Sequence, residues 1–362
     1  MEPVRIGVIG CGVIGRQHAA IAAHSPLLAL VAVADVRADA AEQVAAAYGV
    51  PGCYSSVDEL LRDPSVEAVV LALPTSGRYL LAHQALAAGK HVLLEKPVAM
   101  NAAEVRTLLA ARGDLIVGCC SSRMRGLPAA QAAAALVAEG RLGRLRLVRC
   151  RAVLGAGAPP QQPPPPWRLS KALNGGGILV NWGCYDLDFL LGIAGWRLRP
   201  RVVLAQTWNV PEVFAEYVAP GSDAETHVIA LVLCDDGVVL SLERGEFAAS
   251  ATDEAWQLLG DRGSVRLRMP AGHNKQVIFD EATPTGVVSH VIWRGDDPPG
   301  AEHRSVLEDF AQAVRMRRAP RTTLEQALVI QELTDAIYAS AAQGAPVMLA
   351  DPALREPTSE GG

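Results

Sequence analysis

The sequence predicts an α/β chain: a doubly wound parallel sheet first, then an α+β domain with an open, mostly antiparallel sheet. Three observations carry that prediction. Short Val/Leu/Ile runs alternate with helix-length segments through residues 1–122, the rhythm of a parallel sheet covered on both faces. Longer strand-like runs without intervening helices follow. A glycine-rich turn also joins the first strand to the first helix, at the end of the sheet where open α/β folds take their ligands.

The elements follow in order. Val4 to Ile9 reads as a buried strand ended by GCGVIG, with a helix over Arg16 to Ala23. Leu27 to Ala34 is the second strand, and Ala38 to Tyr48 a helix closed by Gly49 and Pro51. Ser56 caps a short helix through Arg62. Ala68 to Leu73 is a strand stopped by Pro74; Tyr79 to Ala88 is a helix, His91 to Leu94 a strand, Asn101 to Ala111 a helix and Leu115 to Gly118 a strand. Beyond it, Ala129 to Ala138 is an alanine-rich helix. LRLVRCRAVL, RVVLAQTW, HVIALVLC, VVLSLERGEF, WQLLG and SVRLRM supply the second sheet, and Val306 to Met316 and Thr323 to Ala342 are closing helices. The proline-rich stretch Ala156 to Pro166 reads as a stiff surface loop. The expected division is 1–122, 123–350 and a frayed tail, 351–362.

Composition narrows the function. At roughly 100–200 residues per domain, the 362 residues suggest two domains. Hydrophobic types make up 50% and charged types 20%, which supports packed cores. The formal charge of −5 argues against a nucleic-acid partner. No apolar run is long enough to span a bilayer, and MEPVRIGVIG does not read as a signal peptide. The seven cysteines form no C-x-x-C pair and no metal-ligand spacing, so no metal is expected and a reducing cytoplasm fits them.

Three motifs carry chemistry. In Gly10-x-Gly12-x-x-Gly15, Gly10 permits the tight turn, Gly12 lets backbone approach a pyrophosphate, and Gly15 allows close helix–strand packing. The helix N-terminus offers free N–H groups to phosphate. Asp35, ending the second strand, suits the adenosine ribose hydroxyls and repels a 2′-phosphate, favouring NAD; Arg37 keeps NADP open. Val13, Ile14 and Val36, with Leu73 and Pro74 after the third long strand, join the candidate cofactor contacts. Glu95-Lys96-Pro97 follows the strand His91 to Leu94, where a lysine reaches toward the nicotinamide end; a solvated surface charge is the plain alternative. In Gly175-Gly176-Gly177-Ile-Leu-Val-Asn181-Trp-Gly-Cys-Tyr185-Asp-Leu-Asp188, helical spacing puts Asn181, Tyr185 and Asp188 on one face. A tyrosine there can move a proton or simply be hydrogen-bonded in the core.

Together these motifs resemble the Gfo/Idh/MocA oxidoreductase family over nearly the whole chain, above all through Gly89-Lys90-His91-Val92 leading into Glu95-Lys96-Pro97. The resemblance implies a Rossmann domain, an α+β domain whose open sheet mediates homodimers or homotetramers, NAD or NADP as cofactor, and a sugar-like small-molecule substrate. Lys96 falls on the family's catalytic lysine, and Trp167-Arg168 is similar to the pair that reaches the cofactor. Where the family usually has Asp-x-Gly-x-His-x-x-Asp, this chain has Asn181, Gly183, Tyr185 and Asp188; Arg78 is a second departure from a usual histidine. Tyr185 is thus the expected acid/base, its pKa lowered by Lys96, with Asn181 and Asp188 orienting substrate hydroxyls or amines. The tyrosine variant resembles members acting on sugars and aminoglycosides in antibiotic pathways, gentamicin among them. The reading is NAD-dependent oxidation of a secondary ring hydroxyl; an NADPH-dependent 3-ketoreductase of a nucleotide-linked ketosugar and a non-catalytic NAD-binding sensor are the alternatives.

Overall fold

The computed structural model describes residues 2–349. The first half alternates β1 (Val4–Ile9), α1 (Val13–His24), β2 (Leu28–Ala34), α2 (Ala38–Tyr48), β3 (Gly52–Tyr54), α3 (Val57–Arg62), β4 (Ala68–Leu71), α4 (Arg78–Ala87), β5 (His91–Leu94), α5 (Ala102–Ala111) and β6 (Val117–Cys119). Its six strands are all parallel, in the order β3-β2-β1-β4-β5-β6. The order reverses direction between β1 and β4, which makes the carboxyl ends of those strands the ligand crevice. Every residue of β4 is buried, as a strand covered by helices on both faces requires. Asn101 caps α5 by accepting from Glu104 N, and Glu104 in turn accepts from Met100 N.

The second half contains α6 (Pro128–Ala138), β7 (Leu145–Gly155), α7 (Lys171–Asn174), α8 (Cys184–Ile193), β8 (Pro200–Trp208), β9 (His227–Cys234), β10 (Val239–Ala248), β11 (Asp253–Gly260), β12 (Gly263–Leu267), β13 (Lys275–Thr283), β14 (Gly286–Gly295), α9 (Ala301–Met316), α10 (Leu324–Gln343) and β15 (Val347–Met348). Nine strands form one sheet, β14-β13-β12-β11-β7-β10-β9-β8-β15, antiparallel except for the β7–β10 pair. On β9 the inner residues Val228, Ala230 and Val232 are buried in the core of the second half, while Ile229, Leu231 and Leu233 face outward and remain exposed. Alternation of that kind marks a sheet with one covered face.

The last helices bind the halves together. Val306, Leu307 and Phe310 of α9 pack with Val8 and Leu93 beneath the first sheet. Leu324 and Ala327 of α10 pack with Leu94 and Val105, while Leu333 and Ile337, further along α10, enter the core of the second sheet.

Several expected bounds shift. The helix after the glycines starts at Val13, directly at the turn, and β4 stops at Leu71, leaving Leu73 and Pro74 in the loop. Four strands went unforeseen: β3, β13, β14 and β15. β14 is exposed along nearly its whole length, so burial imposes no alternation on it. The segment before α8 is a π-helical turn over Leu179–Gly183, a distortion that recurs at functional sites. The tail 351–362 lies outside the described residues.

Candidate active site

The glycine turn is built as its spacing requires. Gly10 has φ +93° and lies against the Ala72 carbonyl, where a Cβ would meet it at 2.5 Å; a Cβ on Gly15 would meet Gly10 O at 1.7 Å. Above Gly12 the space is open. No side chain caps α1, and its first turn holds no acid, so its N–H groups are free for an anion. Val13 and Val36 stand 91% and 89% exposed on this edge, with Ile14 half-buried between them and the core. Asp35 is fixed by Cys11 N (2.7 Å) on one oxygen and Arg37 N (2.9 Å) on the other, and the exposed Arg37 guanidinium lies 3.8 Å away. The open helix end, the bare Gly12 and the anchored carboxylate together fit a dinucleotide. Bound there, NAD would supply the hydride acceptor; Gly12, Val13 and Asp35 would hold its pyrophosphate and ribose ends.

Beyond β4 the loop carries half-buried Leu73 and exposed Pro74. Thr75 Oγ1 donates to Asn174 Oδ1 (2.9 Å), tying this loop to the segment bearing Trp167 and Arg168. Trp167 is 40% exposed, and Arg168 pairs with Glu246 of β10 at 2.6 Å.

The chemistry gathers after β5. Lys96 Nζ donates to the main-chain oxygen of Asn181 (2.9 Å) and lies 5.1 Å from the centroid of the buried Tyr185 ring. Trp182 packs edge-on against the same ring at 5.7 Å. Below them Glu95 accepts from Arg123 (2.7 Å) and meets His18 Nε2 at 2.8 Å. Burial alone would raise the Glu95 carboxyl, but Arg123 and the His18 hydrogen bond hold it well below the usual range. Burial lowers His18, so this imidazole is neutral and donates to Glu95. Buried Arg78 donates to the main-chain oxygens of Leu73, Glu95 and Pro97, clamping the two loops that carry Leu73 and Lys96.

The expected tuning of Tyr185 reverses. Burial pushes its phenol well above the ordinary value, outweighing Arg123, which pulls it down. Burial also lowers the Lys96 ammonium, against Cys184 and Glu95. The resting pair is therefore a neutral phenol beside an amine that gives up its proton more readily than a free lysine.

Two expected substrate contacts are engaged within the protein. Asn181 is buried, its amide nitrogen donating to Arg168 O (2.9 Å) and its oxygen accepting from Asn174 (3.2 Å). It holds the Trp167–Arg168 segment, and only its main-chain oxygen reaches Lys96. Asp188 is wholly buried and accepts from Ser121 Oγ (2.7 Å), Thr322 Oγ1 (2.6 Å) and Arg125 Nε. Helical spacing puts both residues on Tyr185's side of a helix, but each is held by partners of its own. The triple glycine also gains a reason. A Cβ on Gly177 would strike Glu225 O at 1.8 Å, and the Glu225 carboxylate accepts from Gly177 N and Leu179 N. Glu225, His18 and His303 carried no local sequence signal, since each acts only through partners distant in the chain. Arg123 was marked only by its place just after the strand Leu115 to Gly118, which left a cleft-facing role and a surface salt bridge equally open; the structure buries it against Glu95 and His303.

The fold and this site define an NAD(P)-dependent oxidoreductase. The chain belongs to the Gfo/Idh/MocA family: the oxidoreductase family model with the NAD-binding Rossmann fold matches residues 4–114, and the GFO/IDH/MocA C-terminal domain matches 130–266. It is 25% identical to the levoglucosan dehydrogenase of Pseudarthrobacter phenanthrenivorans, covering 83% of each chain. An uncharacterized oxidoreductase of Synechocystis is 26% identical, covering 91% of this chain and 92% of that one. Among solved structures, a levoglucosan dehydrogenase complex with NADH and L-sorbose superposes with a TM-score of 0.81 at 20% identity, over 97% of this chain and all of that one. GenD2 from gentamicin A biosynthesis, in complex with NAD, gives 0.79 at 23%, over 97% of each.

Proposed function

We propose that the protein oxidises a secondary ring hydroxyl of a sugar, aminosugar or aminoglycoside to a ketone, with NAD accepting the hydride. The observation that carries this reading is Lys96 beside Tyr185 at the crevice end of β5, opposite the open turn of α1. The hydroxyl proton passes to the ionised Tyr185 oxygen, the Lys96 ammonium steadies the alkoxide, and hydride leaves the same carbon for the bound NAD. Kinship to levoglucosan dehydrogenase and the fold shared with GenD2 support a sugar-like substrate. The test is a panel of sugars, cyclitols and aminoglycosides with NAD or NADP, followed by reduced-nicotinamide absorbance. NADH should bind more tightly than NADPH because Asp35 faces the ribose; tighter NADPH binding would assign the site to Arg37. Silence across the panel, with NAD binding measured, would overturn the oxidation.

The raised Tyr185 pKa favours one second reading, reduction of a ketosugar, because a neutral phenol is ready to donate. The two directions separate by pH. Oxidation needs the tyrosinate, so its kcat/KM should climb from neutral into alkaline pH; reduction should be flat near neutrality and fall on the alkaline side. A level oxidation profile would remove Tyr185 from the proton step.

For assembly, the exposed Leu204, Ile229, Leu231 and Leu233 on the outer face of β8 and β9 suit a second copy, giving a homodimer or homotetramer whose mass in solution checks it. No described helix is long and apolar enough to cross a membrane. The free cysteines fit a reducing cytoplasm.

A further inference from the structure

Tyr185 is served by a cation that the sequence motifs do not include. Arg123 lies in the turn after β6, its side chain buried. One guanidinium nitrogen donates to Glu95 Oε1 (2.7 Å) and another to His303 Nε2 (2.6 Å), while Cζ sits 5.0 Å from the Tyr185 ring centroid. A guanidinium has only donors, so His303 Nε2 accepts, and its Nδ1 carries the proton toward Glu302 Oε1 at 2.9 Å. Arg123 is thereby gripped from two sides in a fixed plane.

We propose that Arg123 is a positioning residue of the reaction: held by Glu95 and His303, it fixes the Tyr185 ring and supplies the permanent positive charge beside which that phenol gains and loses its proton. The proposal rests on Tyr185 being the proton carrier. Burial lowers the Lys96 ammonium, so its charge is less secure than a guanidinium's. An arginine keeps its charge throughout. The other charged or titratable groups near Tyr185 are Glu95 and Lys96 after β5, Arg78 of α4, Cys120 after β6 and Cys184 on its own helix. Burial keeps both thiols neutral, Cys184 at about 11 and Cys120 well above its ordinary value. Glu95 is the anion of the set and is already engaged by Arg123 and His18. Among these neighbours Arg123 is the principal influence lowering the Tyr185 phenol.

The test places a fluorotyrosine at position 185 in the NAD-loaded protein and follows its fluorine resonance against pH. In R123Q the midpoint should rise by about one pH unit or more, and the pH limb of kcat/KM should move with it. R123K, which keeps a cation, should return both toward wild type. An unmoved midpoint in folded R123Q overturns the role of Arg123. A moved midpoint with an unmoved rate limb instead overturns Tyr185 as proton carrier, and the proposal with it. Should R123Q fail to fold, R123K decides: it keeps the charge but loses the two-sided grip, so kcat should fall with KM unchanged. Wild-type kcat in R123K would overturn the positioning role.

Discussion

Replacing Tyr185 by Phe, or Lys96 by Met, should each lower turnover roughly 100- to 10,000-fold while leaving the NAD dissociation constant unchanged. Tyr185→Phe removes one oxygen and keeps the ring that packs against Trp182 and lies beside Arg123 and Lys96. The fold should therefore hold, and the lost rate measures the proton carrier. Lys96→Met removes a partly buried charge whose protein hydrogen bond goes to a single main-chain oxygen, and Met fills similar space. The two should not add: once the phenol is gone, an ammonium that steadies the alkoxide has less to act on, so the double variant should fall little below the worse single one. Steady-state rates and NAD titration of all three variants check this. Wild-type turnover in Tyr185→Phe would remove the tyrosine from the reaction. Full additivity would mean that the two side chains act on separate steps.

What the sequence revealed follows from where the constraint is local. The glycine turn, Asp35 and the lysine after β5 are short-range devices: each is fixed by neighbours within one strand–turn–helix unit, and each stands where expected. The first sheet was legible because strands buried on both faces must be continuously apolar. The site's electrostatics were not legible. Whether Lys96 or burial sets the Tyr185 phenol depends on how much water the second half of the chain removes, and no spacing encodes that. Arg123 and His303, 180 residues apart, meet only because α9 returns beneath the first sheet. Helical periodicity likewise grouped Asn181, which lies in the π-helical turn before α8, with Asp188 of α8, and nothing in it named the groups that meet them.

Asp188 puts that difference to a test. As a substrate ligand, Asp188→Ala would raise KM and leave stability alone. The structure calls for the opposite: a loss of about 3–5 kcal/mol, with KM in the remaining folded enzyme little changed. The carboxylate is fully buried and joins three segments: Ser121 and Arg125 after β6, α8 itself, and Thr322 ahead of α10. Arg125 reaches past it to Arg321 O (2.6 Å) and lies 5.4 Å over Trp196, so removing the acid strands a guanidinium between the two halves. A stranded buried charge costs more than the pair contributes when both members are absent. Asp188→Ala combined with Arg125→Met should consequently recover part of the stability lost in the single variant, a coupling that a double-mutant cycle in urea reads directly. No recovery in the double variant, or a KM effect with an unchanged unfolding midpoint, would return Asp188 to the substrate side of the cleft.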